Sequence, residues 1–284
     1  MPHQTPFTEI VQRVETIPSP PQVITQVVRL VNDPNATAEQ IEAIMSKDVG
    51  MASKVLRMVN SVYYGLDQPM HDLGQAIRIL GFKTVRSVAL SISAMNAFQQ
   101  QNVGFSMKAY WTHCSVAACL CRMLANRAEL PDPELAFTVG LFKDVGILVL
   151  AQHAPDAMRE TIKVAQAQQL PFAAAARQVM GRDQATLGAK LVRHWGMEDA
   201  IVDAIQHQDS LVHTKHPRLV AVTQFSEYLC ATRGLRLPGQ CEEPVLDDAV
   251  WTHLGLERTA LVDALAVVDK EVQAAKELLE VAYS

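Results

Sequence analysis

The stretch Ala136–Leu150, AFTVGLFKDVGILVL, constrains this chain more than any other. It is apolar almost throughout and reads as a buried helix. Lys143 and Asp144 sit in tandem inside it. Burial makes charge costly unless the charge is paired. Such a pair points to a metal-ligand site or to the salt-bridged remnant of one.

The surrounding 284 residues suffice for one large domain or two modest ones. About half of them are apolar, 49%, and the aromatic share is only 6%, so Ala, Val, Leu and Met fill the core. That balance favours helices. A net charge of −5 gives no electrostatic case for general nucleic-acid binding. The five cysteines form no CxxC and read as reduced, buried small side chains, which implies a cytoplasmic setting. MPHQTPFTEI has neither a basic nor an apolar signal region, and no apolar run spans a bilayer without interruption, so no membrane association is expected.

Helical punctuation recurs through the first hundred residues. Residues 1–16 read as a short amphipathic lead-in, followed by the rigid turn Ile17–Pro21. Val23, Val27, Leu30 and Val31 then share one helical face, and Asn32-Asp33-Pro34 ends it. Thr37 with Gln40, and Asp72 with Gln75, have capping-box spacing, while Asp48 reads as an N-cap. Asn60 closes a helix ahead of Ser61, Tyr63, Tyr64 and Gly65. Its simplest role is to satisfy nearby backbone, but with Ser61, Tyr63 and Tyr64 it also offers an interaction surface. Gly81 separates a short helix from a longer apolar one.

The polar run 99–104 is the best boundary. It predicts one lobe over 1–101 and another over 105–284. In the second, helices are expected near Met107, after Pro155, over Phe172–Met180, Asp183–Trp195, Glu198–Gln208 and Arg218–Cys230, with two more closing the chain. No strand alternation and no fixed-period repeat is present. His213 and His216 flank Lys215 in a polar loop and read as no more than that. No phosphate-binding Gly-rich loop or GxSxG occurs.

The order of these landmarks resembles the HDOD family. Ile17-Pro18, Asn32-Asp33-Pro34, Asp48, Leu56, Asn60-Ser61, Tyr63-Tyr64-Gly65 and Ala76-Ile77 through Leu80-Gly81 look like that family's N-terminal pattern. The second lobe looks like its degenerate version of the HD phosphohydrolase fold. The resemblance implies an all-α protein of two packed helical lobes, the second HD-like. It also implies a bacterial signalling or regulatory role without established catalysis.

An active HD phosphohydrolase sets a His, a His-Asp pair and a further Asp around a metal ion that acidifies a water for attack on phosphorus. Set against that template, His113 matches the first His and Asp144 the Asp of the pair. Lys143 stands where the pair's His should be. Gln184 stands at a usual second-site His, His207-Gln208 keeps half of a His-His, and Glu227 falls near the last carboxylate. A protonated Lys cannot ligate a metal. Its ammonium either pairs with Asp144 or Glu227 at the metal position, or runs out to solvent. No metal, cofactor or catalytic residue is therefore expected.

The reading is a non-catalytic regulatory module, expected to act through a protein partner in a signalling pathway, with a nucleotide as the alternative small ligand. No output domain is apparent, so its output would pass through a separate molecule. The competing reading is a metal-dependent phosphohydrolase or phosphodiesterase with an altered centre.

Overall fold

A computed structural model describes residues 7–14, 26–27, 30, 37–61, 64, 66–98, 104–240 and 245–283. Helices are the only regular elements among them. The expected Ile17–Pro21 turn, most of the helix around Val27, and Tyr63 and Gly65 lie outside the described residues.

The chain divides into two compact units. One contains residues 18–100 and 269–284, the other residues 1–17 and 101–268. The break near residue 101 coincides with the polar run, but the two units are not consecutive in sequence as the lobes 1–101 and 105–284 would be. Helix α1, Phe7–Val14, buries Ile10 and Val14 completely and packs within the unit of residues 101–268. The chain's last residues belong with residues 18–100.

In the unit of residues 18–100, α2 (Ala38–Met45) starts at Thr37. The Thr37 hydroxyl accepts from the Gln40 amide, and the Gln40 side chain accepts from the Thr37 amide, so the capping box is complete. Ile41 and Met45 face inward. Asp48 caps α3 (Val49–Val59) by accepting from Met51 N at 2.9 Å. Asp72 caps α4 (Leu73–Leu80). The reciprocal half of this second box is displaced by one residue: the Gln75 side chain accepts from His71 N at 3.2 Å. Gly81, at φ 85°, then starts α5 (Phe82–Ala97). A positive φ suits glycine, which has no Cβ to clash. Asn60 does what its simplest reading expects. Its Nδ2 donates to Met70 O at 2.8 Å and its Oδ1 accepts from Met70 N at 2.7 Å, so the amide holds the loop between α3 and α4. Both amide groups are thereby committed, and Ser61 and Tyr64 are half-buried nearby.

The other unit is built on α6 (Met107–Arg127), whose Tyr110, Trp111, Cys114 and Cys121 are buried. It packs against α7 (Pro133–Phe142) and α13 (Pro217–Thr232). Helices α8 (Val145–His153), α9 (Pro155–Gln168), α10 (Phe172–Met180), α11 (Gln184–His194), α12 (Asp199–Gln206) and α14 (Asp248–Leu254) surround them. Helix α15 runs Ala260–Tyr283. Cys114, Cys119, Cys121 and Cys230 are buried free thiols.

The expected single helix over Ala136–Leu150 is instead two helices, α7 and α8, broken at Lys143-Asp144. Asp144 leaves helical geometry at φ −100°, ψ 5°. The break coincides with the two charges. A continuous buried helix would point adjacent side chains about 100° apart, whereas the turn lets Lys143 and Asp144 meet.

Candidate functional site

Four side chains converge inside the unit of residues 101–268. His113 comes from the middle of α6, Lys143 and Asp144 from the α7–α8 turn, and Glu227 from α13. The Lys143 ammonium donates to Asp144 Oδ2, and to Glu227 Oε2 at 2.6 Å. His113 Nε2 lies 3.3 Å from Asp144 Oδ2 and 3.2 Å from Glu227 Oε2. It is also 3.3 Å from Lys143 Nζ. His113, Lys143 and Asp144 are buried, and Glu227 is partly exposed.

Electrostatics binds the four into one unit. Burial alone would push Lys143 toward the neutral amine, but Asp144 and Glu227 reverse this and hold it protonated, well above the usual lysine range. Burial would likewise raise Glu227, yet Lys143 and His113 keep it well below the usual carboxylate range. For His113, burial and Lys143 oppose protonation. Glu227 and Asp144 outweigh them, raising it to about 9. Two basic side chains therefore face two acidic ones, and His113 Nε2 lies within ion-pair distance of both acids.

A second layer fixes the ring and the glutamate. His113 Nδ1 donates to the Leu235 carbonyl at 2.9 Å. Gln240 Nε2 donates to Glu227 Oε1 at 2.9 Å, while its Oε1 accepts from Leu237 N at 2.7 Å. One loop, 235–240, thus orients both. No pattern in the sequence marks Leu235 or Gln240 for this role.

His113, Asp144 and Glu227 each offer one ligand atom, and these atoms lie within 4.8 Å of one another. That spacing alone would suit a divalent ion. The ammonium of Lys143 lies within 3.3 Å of the nearest atom of all three. An ion placed there would meet a fixed positive charge, so the donor set with Lys143 in place does not fit a metal.

Lys143, Asp144 and Glu227 of this group border a cavity of about 740 Å³. Gln184, the first residue of α11, lines it and is buried. Gly146 makes this possible. A Cβ on Gly146 would stand 1.9 Å from the Gln184 carbonyl oxygen, so only glycine lets α8 and α11 approach this closely. His207 does not join the group. It caps α12, and its Nδ1 sits 3.1 Å from Asp203 Oδ1 one turn back. Its neighbours Gln208 and Asp209 line the cavity instead. His213 and His216 form no ligand cluster with other described residues.

The model of the HDOD domain matches residues 17–211. The chain belongs to the HDOD family. A solved HDOD domain protein of unknown function from Geobacter sulfurreducens shares 18% identity with the HDOD chain described here at a TM-score of 0.81, covering 95% of this chain and 97% of that one. A Shewanella amazonensis SB2B protein, named only provisionally as a phosphohydrolase, shares 22% at a TM-score of 0.73, with the same two coverages. One from Marinobacter aquaeolei VT8, named provisionally as a signal transduction protein, shares 21% at 0.76, covering 98% of this chain and 64% of that one. These likenesses establish the all-α fold. An uncharacterized Treponema pallidum protein is 20% identical over 223 residues, which are 76% of this HDOD chain. Bacillus subtilis YuxH, also uncharacterized, is 24% identical over 112 residues, 39% of it. The chain spans 42% and 27% of the lengths of these two relatives. Among the described residues no helix is long and apolar enough to cross a membrane.

Proposed function

We propose that this HDOD chain is a non-catalytic regulatory module of bacterial signal transduction, working through binding rather than turnover. The observation that carries the proposal is the Lys143 ammonium, bonded to Asp144 and Glu227 beside His113. In this reading Lys143 takes the structural place of the metal. It neutralises carboxylates that would otherwise be buried unpaired, and it leaves no metal-activated water for attack on phosphorus. The cavity beside the quartet, about 740 Å³, is left as a place to receive a signal. The provisional name of the Marinobacter relative as a signal transduction protein agrees with this reading. A protein partner and a cytoplasmic location belong to the same proposal.

The test is metal content and hydrolysis together. Protein purified without chelator or a histidine tag is analysed by plasma mass spectrometry, then assayed with Mn²⁺ against bis-p-nitrophenyl phosphate. Background metal and no turnover are expected. Near-stoichiometric metal, with turnover lost in Asp144→Ala, would overturn the proposal.

One observation favours the competing phosphohydrolase reading: three ligand-type side chains still lie within 4.8 Å of one another. Lys143→His separates the two. If the lysine alone displaces the ion, this variant gains metal that the natural chain lacks.

A further inference from the structure

The loop that orients His113 and Glu227 is a tight turn. Its sequence is Leu237-Pro238-Gly239-Gln240. Gln240 N donates to Leu237 O at 3.1 Å, and Gly239 stands at φ 85°. Proline second and a positive-φ glycine third are the signature of a type II turn. The proline ring fixes one backbone angle of the turn. A second bond closes the turn from the side chain, with Leu237 N donating to Gln240 Oε1 at 2.7 Å. Leu237 is buried.

Two sides of this turn are seated on different helices. A Cβ on Gly239 would stand 2.7 Å from Phe172 Cδ2 and 3.4 Å from Ile162 Cγ1. The glycine backbone therefore lies against α10 and α9, with no room for a methyl group between. On the other side, Gln240 Nε2 donates to Glu227 Oε1 at 2.9 Å, leaving Oε2 to face Lys143 and His113. Leu235 O, two residues before the turn, accepts from His113 Nδ1 at 2.9 Å. The loop thus joins α9 and α10 to α6 and α13. By themselves α9 and α10 pack mainly on each other and on α8 and α11.

Phe172 has a second place in this arrangement. It lines the cavity, as Gln240 and Glu227 do. The same ring is therefore a wall of the cavity and the seat of the turn. Close-packed groups transmit a shift to their neighbours. The turn, closed by two hydrogen bonds, moves more readily as a body than by opening.

We infer that the turn 237–240 is a strap that carries a displacement of Phe172, at the cavity wall, to Glu227 in the quartet. Gln240 is its positioning residue at the charged end. The inference rests on the regulatory reading above, for which it names the route from the cavity to the quartet.

The test uses the full chain labelled with ¹⁵N and ¹³C. The reporters are hydrogen exchange at the Leu237 amide and the side-chain carboxyl ¹³C signal of Glu227. Phe172→Leu, which shrinks the seat, is expected to speed Leu237 exchange about fivefold, the effect of losing about one hydrogen bond. Core amides of α6 should stay within about twofold of their natural rates. Phe172→Leu should also move the Glu227 signal. In a Gln240→Met background the same substitution should leave that signal where Gln240→Met alone puts it, because the link is already cut. Ile162→Val, a milder change at the same seat, makes the same test should Phe172→Leu not fold. Leu237 exchange and a Glu227 signal that both match the natural protein in the folded variant overturn the inference. So does a Glu227 shift of equal size with and without Gln240. Neither reporter involves metal or turnover, so the regulatory reading stands or falls separately, on those assays.

Discussion

Lys143 Nζ reaches Glu227 Oε2 at 2.6 Å across 84 positions of sequence, tying the α7–α8 turn to α13. The same nitrogen bonds Asp144, and this double commitment determines how the site responds to mutation.

Lys143→Met removes the ammonium that bonds Asp144 and Glu227 and leaves His113 as the remaining basic member of the group beside them. Breaking a buried pair by deleting one partner costs about 3–5 kcal/mol. Urea denaturation at neutral pH should show a loss of that order. Adding Glu227→Gln to Lys143→Met should recover part of it. A Lys143→Met protein as stable as the natural one would mean that the ammonium holds nothing together.

Stability should depend on pH in two windows. Glu227 titrates lower in the fold than in the unfolded chain, so its contribution is full above about pH 4.3 and lost as pH falls further. His113 is raised to about 9, so its contribution is full below its unfolded value and lost as pH climbs to about 9. With an unfolded histidine near about 6.5, the alkaline decline spans about 6.5 to 9. Denaturation midpoints measured across pH 3–10 in chemical denaturant check both limbs. In His113→Gln the alkaline decline should flatten.

Gly146→Ala puts a methyl group where the Gln184 carbonyl stands, 1.9 Å away. The neighbour is backbone and cannot swing aside, so α8 and α11 must separate. Overpacking of this kind costs about 1–3 kcal/mol. Denaturant titration gives the loss, and the Gln184 amide should show a chemical-shift change larger than at remote sites.

Asn60→Ala deletes both bonds to the Met70 backbone. A net contribution of about 0.5–1.5 kcal/mol per bond predicts faster hydrogen exchange at the Met70 amide, centred on the loop between α3 and α4. If exchange there is unchanged, Asn60 is not what fixes that loop.

Much of the fold was legible because its signals are local. Thr37 with Gln40, Asp48, Asp72 and Gly81 announce helix ends by side chains that satisfy backbone groups a few residues away. Phe172–Met180 agrees with its helix residue for residue. The break inside Ala136–Leu150 falls at the two charges the sequence marks, but a tandem Lys-Asp is compatible with a continuous helix, and only their partners in the fold distinguish the two. At the site, the template order brought His113, Lys143, Asp144 and Glu227 to notice, and the structure places them together. His207 was drawn in by the same order, but its ring satisfies Asp203. Gln240 and Leu235 act through a loop whose path depends on packing, so spacing gave no sign of them.

Helix α1 and the chain's last residues each belong to the unit that lies farther from them in sequence. This bears on the order of events during synthesis. Residues 18–100 are made well before residues 269–284, on which their unit also draws. The other unit must hold α1 available until residues 101–268 have followed. Neither unit can complete its set of contacts during translation until its sequence-distant segment has emerged, and removing residues 1–17 or 269–284 withdraws material from a unit built mainly elsewhere in the sequence.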